Sequence, residues 1–221
     1  MVAELSKFYA DGGIWMHPIT LISVIGFAIT IERIIMIFFR YRISSGHFMA
    51  QVQKLVLANN IDRAIKLCNA APGAVLPRVI KAGLTRANKD ELEIANALEE
   101  ATLEVMPDIH KRVGALPNVA NLATLLGLLG TIIGLIEAFA AVAAAPPDMK
   151  SQMLTAALAI GLNTTAWGLI VAIPILGAFI FLSASTKAMT DEIERYSVKL
   201  QNLLVARGRG LQPQTGSEVK A

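Results

Sequence analysis

Charge is what this chain has least of. Only 17% of its 221 residues are Asp, Glu, Lys or Arg, where a soluble domain carries about 25%. Hydrophobic residues make up 54%, above the roughly 45–50% of soluble globules. These two figures exclude an ordinary water-soluble globule, and equally a disordered tail, a collagen or a coiled-coil rod. Cysteine is nearly missing: Cys68 stands alone, so no intrachain disulfide and no cysteine-based metal cluster is expected. Aromatics, at 6%, are too few for a base-stacking surface. The net charge is only +3, and in a membrane protein an excess of Lys and Arg marks cytoplasmic loops rather than nucleic acid. The three histidines, His17, His47 and His110, are scattered and read as surface or interfacial residues. No Gly-rich phosphate loop, HExxH zinc motif or nucleophile elbow occurs. A Ser–His or paired-Asp dyad at membrane depth is missing too. The sequence therefore predicts no enzyme, no cofactor and no metal site.

The missing charge is concentrated in three stretches, 12–31, 113–136 and 151–186, of 20, 24 and 36 residues. A spanning helix needs about 20 apolar residues, so each is long enough to cross a bilayer. At 1.5 Å per residue the third would reach about 54 Å against a hydrocarbon core of about 30 Å. Part of it is expected to project from the membrane as helix. The first stretch reads as a retained helix rather than a signal peptide. Residues 1–17 hold only Lys7 against Glu4 and Asp11, and the apolar run from Pro18 to Phe39 is too long for a signal core. Pro18 suits a first helical position, and Trp15 suits the membrane interface.

Loop charge sets the expected orientation. Segment 40–112 holds 11 Lys and Arg, and the tail from Ser183 holds six. The N-terminal segment and the turn at 146–150 hold one each. Lys and Arg stay cytoplasmic, so the N-terminus is expected outside and the C-terminus in the cytoplasm, with Cys68 in a reducing compartment. The expected fold is all-α: an integral membrane protein with three transmembrane helices, the last two extending into the cytoplasm, plus a small helical cytoplasmic domain. The expected boundaries are an external segment 1–17, spans at 18–39, 113–145 and 151–186, a cytoplasmic helical domain 40–112, an external turn 146–150, a helical extension 187–205 and a disordered tail 206–221. Within 40–112, amphipathic runs at 48–57 and 61–70 precede a break at Ala71-Pro72-Gly73-Ala74. A helix follows at 75–87, and Asn88-Lys89-Asp90 is a plausible cap for another at 91–105. Pro107 is expected to kink or interrupt that last helix. Its acids, Glu91, Glu93, Glu99, Glu100 and Glu104, read as a solvated face.

The two later spans carry small residues in register. Ala120, Thr124, Gly127, Thr131, Gly134, Ala138, Ala141 and Ala145 fall alternately four and three apart, a stripe of heptad period. Gly161, Thr165, Gly168 and Ala172 mark one face of the third span, with Thr164 beside it. Close helix packing explains such stripes, and a partly polar lumen is the sharper reading. Thr131 and Thr165 each lie 14 residues from the external turn, about 21 Å deep in regular helix. A threonine also satisfies itself on its own backbone. Two carboxylates lie near membrane depth. Glu32, followed by Arg33, reads as an interfacial anchor. Glu137, about 12 Å below the turn, is a candidate for ion or partner contact, because intramembrane acids are costly and usually face a cavity. Neither is level with the two threonines, so a partner helix would have to bring a titratable group there.

The run Leu125-Leu126-Gly127-Leu128-Leu129-Gly130-Thr131-Ile132-Ile133-Gly134-Leu135-Ile136-Glu137-Ala138-Phe139 resembles a signature of the MotA/TolQ/ExbB proton-channel family. So does Thr164-Thr165-Ala166-Trp167-Gly168-Leu169-Ile170-Val171-Ala172-Ile173-Pro174, in the next span. The resemblance covers most of residues 10–205 and is closest to the ExbB/TolQ branch, with a gliding-motor member fitting equally well. It implies a bacterial inner-membrane homo-oligomer, a pentamer, around the single-span helices of an ExbD/TolR-like partner dimer whose intramembrane Asp carries the proton. By motif position it makes Thr131 and Thr165 pore-lining hydroxyls, with Thr164 and Asn163 adding polarity, while Gly127, Gly130, Gly134, Gly161 and Gly168 pack helices. The departures are Ile160 where ExbB and TolQ carry a glutamate, Asn163 and Thr164 in place of alanine-type residues, and Thr124 in place of a proline. Nutrient uptake, envelope maintenance and gliding all stay open as outputs. A passive membrane scaffold, assembled through small-residue faces without ion conduction, is the alternative.

Overall fold

The computed structural model describes residues 8–9, 12–41 and 43–209. The described residues contain helices and no strand. In chain order they are α1 (Met16–Ile35), α2 (Ser45–Leu57), α3 (Ile61–Asn69), α4 (Val75–Thr85), α5 (Glu91–His110), α6 (Leu116–Ala144) and α7 (Lys150–Gly208). A π-helical stretch, Met36–Tyr41, follows α1, and a 3-10 turn, Val113–Ala115, leads into α6. Three helical stretches, Met16–Leu57, Val113–Ala144 and Lys150–Gly208, hold windows long and apolar enough to cross a membrane. The chain divides into two compact units. One draws on residues 1–33 and 112–183, the other on residues 34–111 and 184–221.

In the first unit the usual pattern of burial is inverted. The inward residues of α1 are Met16, Ile19, Ser23, Gly26, Thr30 and Arg33, three and four apart and largely small or polar. Its outward residues include Leu21, Val24, Phe27, Ile31 and Ile35. An outer surface this apolar suits lipid or neighbouring helices, where small residues make the close contacts. The buried hydroxyls are satisfied locally: Thr30 donates to the Gly26 carbonyl at 2.8 Å and Ser23 to that of Thr20 at 2.8 Å. A side chain at Gly26 would collide with Ile175, which is why α1 seats there. Pro18 is third in α1 rather than first. Its missing N–H is still among the four that lack an intrahelical partner.

The second unit has an orthodox core. Phe48, Met49, Val52 and Val56 of α2 meet Val79, Ile80 and Leu84 of α4, and Ile94, Leu98, Val105 and Ile109 of α5. Ile193, Leu200 and Leu204 from the end of α7 complete it. The expected cap of α5 stands at Asp90, and the expected interruption at Pro107 does not occur. Pro107 neither breaks nor ends the helix, which continues to His110 and stops where Arg112 takes a left-handed φ of 60°. Proline costs an interior helix one hydrogen bond, and the core contacts of Val105 and Ile109 on either side hold the turn. Asp90 occupies the cap position, but through its backbone carbonyl, which accepts from Ile94 at 3.1 Å. Its side chain makes no capping bond. The tail expected from residue 206 is helical as far as Gly208. Residues 210–221, and 1–7, 10 and 11 of the N-terminal segment, lie outside the described residues.

Candidate functional site

The first unit's distinctive site is the crossing of α6 and α7. Gly127 faces the α7 backbone so closely that a Cβ there would stand 3.0 Å from the Thr164 carbonyl oxygen and 3.2 Å from the Thr165 Cα. A Cβ on Gly168 would lie 2.8 Å from the Ala123 carbonyl oxygen, and one on Gly161 3.3 Å from the Thr131 methyl. Gly134 is looser, its nearest neighbour being the Gly161 Cα at 3.9 Å. Glycine permits this approach because nothing projects between the two backbones.

Two threonine hydroxyls sit in the crossing and touch each other: Thr131 Oγ1 and Thr165 Oγ1 are hydrogen-bonded. Thr131 also reaches the Gly161 carbonyl at 2.8 Å and that of Gly127 at 3.2 Å, and Thr165 reaches the Gly127 carbonyl at 3.2 Å. Each hydroxyl has one proton and two lone pairs. One of the two protons lies between the oxygens and the other goes to a carbonyl, which still leaves a lone pair on each oxygen, and both residues are only half-buried. Thr164 is placed differently from the expected lumen residue. It is fully buried, donates to the Gly161 carbonyl at 2.7 Å and packs against the Gly130 position. A residue enclosed within one subunit has no surface to offer a pore. Asn163 is half-buried beside it.

The small-residue stripe coincides with the buried line of α6 at Ala120, Gly127 and Ala138 and departs from it between them. The buried residues of α6 are Leu116, Ala120, Ala123, Gly127, Gly130 and Ala138, whereas Thr124, Thr131 and Gly134 lie half-buried at the edge. That edge carries the hydroxyls. Glu137 is exposed and borders a crevice of about 340 Å³ with Gly134, Ala141, Met153, Ala157 and Ile160.

Two clusters escaped sequence reading. Trp167 Nε1 donates to Thr20 Oγ1 at 3.2 Å, and the Tyr9 hydroxyl lies 3.3 Å from that oxygen and 3.0 Å from His17 Nδ1. The Phe8 and Tyr9 rings pack on Trp167, with centroids 6.2 and 5.9 Å away. This fastens the start of α1 to α7 two residues past Thr165. At the other end of α1, Glu32 pairs with buried Arg33 at 3.1 Å and also with Arg112, 80 residues away. Sequence spacing carried no signal for the Trp167 cluster or for Arg112, whereas the adjacency of Glu32 and Arg33 was plain in the sequence.

The fold and the crossing define a class: a helical membrane protein whose two long apolar helices meet through glycines around a threonine pair. The chain belongs to the MotA/TolQ/ExbB proton channel family, whose model matches residues 73–195, and to its ExbB-like branch. Among its relatives is a biopolymer transport protein ExbB homolog of Methanothermobacter thermautotrophicus. It is 25% identical over 190 residues, covering 85% of this chain and 66% of the relative. The biopolymer transport protein exbB1 of Vibrio cholerae is 40% identical over 65 residues, 29% of this chain and 28% of that one. An ExbB-like 3 biopolymer transport protein of Synechocystis is 27% identical over 179 residues, covering 75% and 78%. The chain thus spans 66% of the length of the Methanothermobacter relative.

Proposed function

We propose that this chain is the channel subunit of an ion-driven motor in the inner membrane, with its N-terminus outside and its C-terminus in the cytoplasm. Copies of it form a ring, a pentamer by family resemblance, around the spanning helices of an ExbD/TolR-like partner that carries an intramembrane aspartate. Proton flow between partner and ring shifts one against the other and delivers work to the cell envelope. The observation that carries this reading is the Thr131–Thr165 pair, two hydroxyls in contact at the half-buried edge of a glycine crossing. With one proton shared between the pair and the other turned to the Gly127 or Gly161 carbonyl, each oxygen still offers a lone pair. Lone pairs accept from a protonated carboxyl and repel an ionised one. The pair therefore favours the partner acid in its protonated form, and loss of the proton weakens the hold. Thr164 and Gly130 belong to the packing behind it.

The test is Thr165→Val, which removes the hydroxyl with little change of size. The variant is expected to assemble normally and to lose proton flux into proteoliposomes that also contain the partner. A loss of about 2–4 kcal/mol of stabilisation, on the order of 10²–10³ in rate, is the scale for one positioned polar group. Unchanged flux overturns the reading. One observation favours the passive scaffold instead: both hydroxyl protons already have acceptors within the chain, one on the other threonine and one on a backbone carbonyl. A scaffold predicts that Thr165→Val is silent in every assay.

A further inference from the structure

The second unit carries two outward helix faces at the same height, one acidic and one with two cations and a single acid. On α5, Leu103 is 65% exposed, with Glu99 and Glu100 a turn away. On the end of α7, Val198 is 57% exposed, with Arg195 and Lys199 beside it and one acid, exposed Glu194, a turn before it. Both faces turn away from the core, which takes Leu98, Ala101 and Val105 from α5 and Ile193, Leu200 and Leu204 from α7. The helices run antiparallel. Thr190 Oγ1 lies 3.4 Å from His110 Nε2, and Arg209 Nη2 lies 2.8 Å from Glu91 Oε2. Equal lengths of helix separate these tie points, so Val198 stands level with Leu103 and Lys199 level with Glu100. Among the described residues, Glu99, Glu100 and Lys199 have no ion-pair partner. Arg195 lies over the ring of Tyr196, 4.9 Å from its centroid.

We propose that these faces are the two halves of a contact between copies of this chain, the α5 face of one subunit seating on the α7 face of the next. The proposal rests on the ring assembly put forward above and names where its subunits meet outside the spans. A ring is built from head-to-tail contacts between two different patches of one surface. Rotation about the ring axis preserves height. With this helix pair upright along that axis, Leu103 therefore meets Val198 of the next copy, and Glu99 and Glu100 meet its Lys199 and Arg195. An apolar centre with charges around it is the ordinary make-up of a subunit contact. A second copy is the occupant because the complementary charges are on this chain and at matching height.

The test is cysteine cross-linking of the full chain in native membranes. Cys68→Ala first removes the single thiol, and Leu103→Cys and Val198→Cys are then added together and singly. Mild oxidation of the double variant is expected to give a ladder of linked subunits ending at one closed species. Each single variant stays monomeric on a denaturing gel. Native mass spectrometry of Cys68→Ala alone reports whether an oligomer exists. An oligomer without the ladder overturns this contact and leaves the ring standing, whereas no oligomer overturns both. As a second readout, Glu99→Lys with Glu100→Lys is expected to weaken the oligomer at least tenfold, and adding Lys199→Glu with Arg195→Glu to restore it. Failure of that rescue counts against the pairing.

Discussion

Cys68 is buried in the core of the second unit, and burial pushes its thiol up to about 11, although Lys81 pulls the other way. A thiolate in apolar surroundings loses its hydration. The sign of the linkage follows. The folded thiol keeps its proton where the unfolded one, with an ordinary value of 9.0, has lost it. Its contribution to stability is therefore complete below about pH 9 and is lost as pH rises towards 11. Denaturant titrations of the purified chain at about pH 8 and 10.5 are expected to show a lower midpoint at the higher pH. Cys68→Ala is expected to flatten that difference, and alkylation at pH 8 to be slow until the unit unfolds. At the same scale, the level of Thr131 and Thr165 was legible, because helical rise converts residue counts into depth. Their shared carbonyl, Gly127, and Thr131's bond across to Gly161 were not, since the rotation of one helix about its axis relative to another is a packing outcome.

Between helices, the glycines of the crossing differ in ways that sequence spacing alone treats as equal. Gly168→Ala forces a methyl to 2.8 Å from the Ala123 carbonyl oxygen, and that atom is backbone. The cost expected for such overpacking is about 1–3 kcal/mol. Gly134→Ala meets nothing closer than 3.9 Å and gains the roughly 0.5–1 kcal/mol by which alanine exceeds glycine inside a helix. Thermal unfolding in detergent is expected to rank Gly134→Ala at or above the parent and Gly168→Ala clearly below it. The reverse order would show that α6 and α7 do not cross at Gly168. The number, kind and approximate bounds of the helices were readable because the apolar stretches are long and the breaks at 58–60, 70–74 and 86–90 carry Asn, Gly, Pro or Asp. The buried line of α6 was not. A 3.6-residue helix drifts from a strict heptad, and Ala123 and Gly130, which join the stripe's Ala120, Gly127 and Ala138 in the buried line, are as small as the stripe residues they replace. Pro107 misled for a related reason: local propensity gave way to the packing of Val105 and Ile109.

At the scale of the whole chain, one helix serves both compact units. α7 supplies the Thr165 side of the crossing in the first unit and Ile193, Leu200 and Leu204 to the core of the second. Each of those three is at most 2% exposed, and loss of one such side chain costs about 2–5 kcal/mol. Their combined loss exceeds what a domain of this size has in reserve, typically about 5–15 kcal/mol. A chain ending after Ser183 is therefore expected to keep its apolar helices in the membrane and to lose the fold of residues 45–111. Limited proteolysis of membranes checks this. In the shortened chain, cleavage within 45–111 is expected at low protease, while the spans stay protected and the full chain resists. If residues 45–111 of the shortened chain resist as well, α2 to α5 fold without α7. The end of α7 would then be free to serve as a contact face alone.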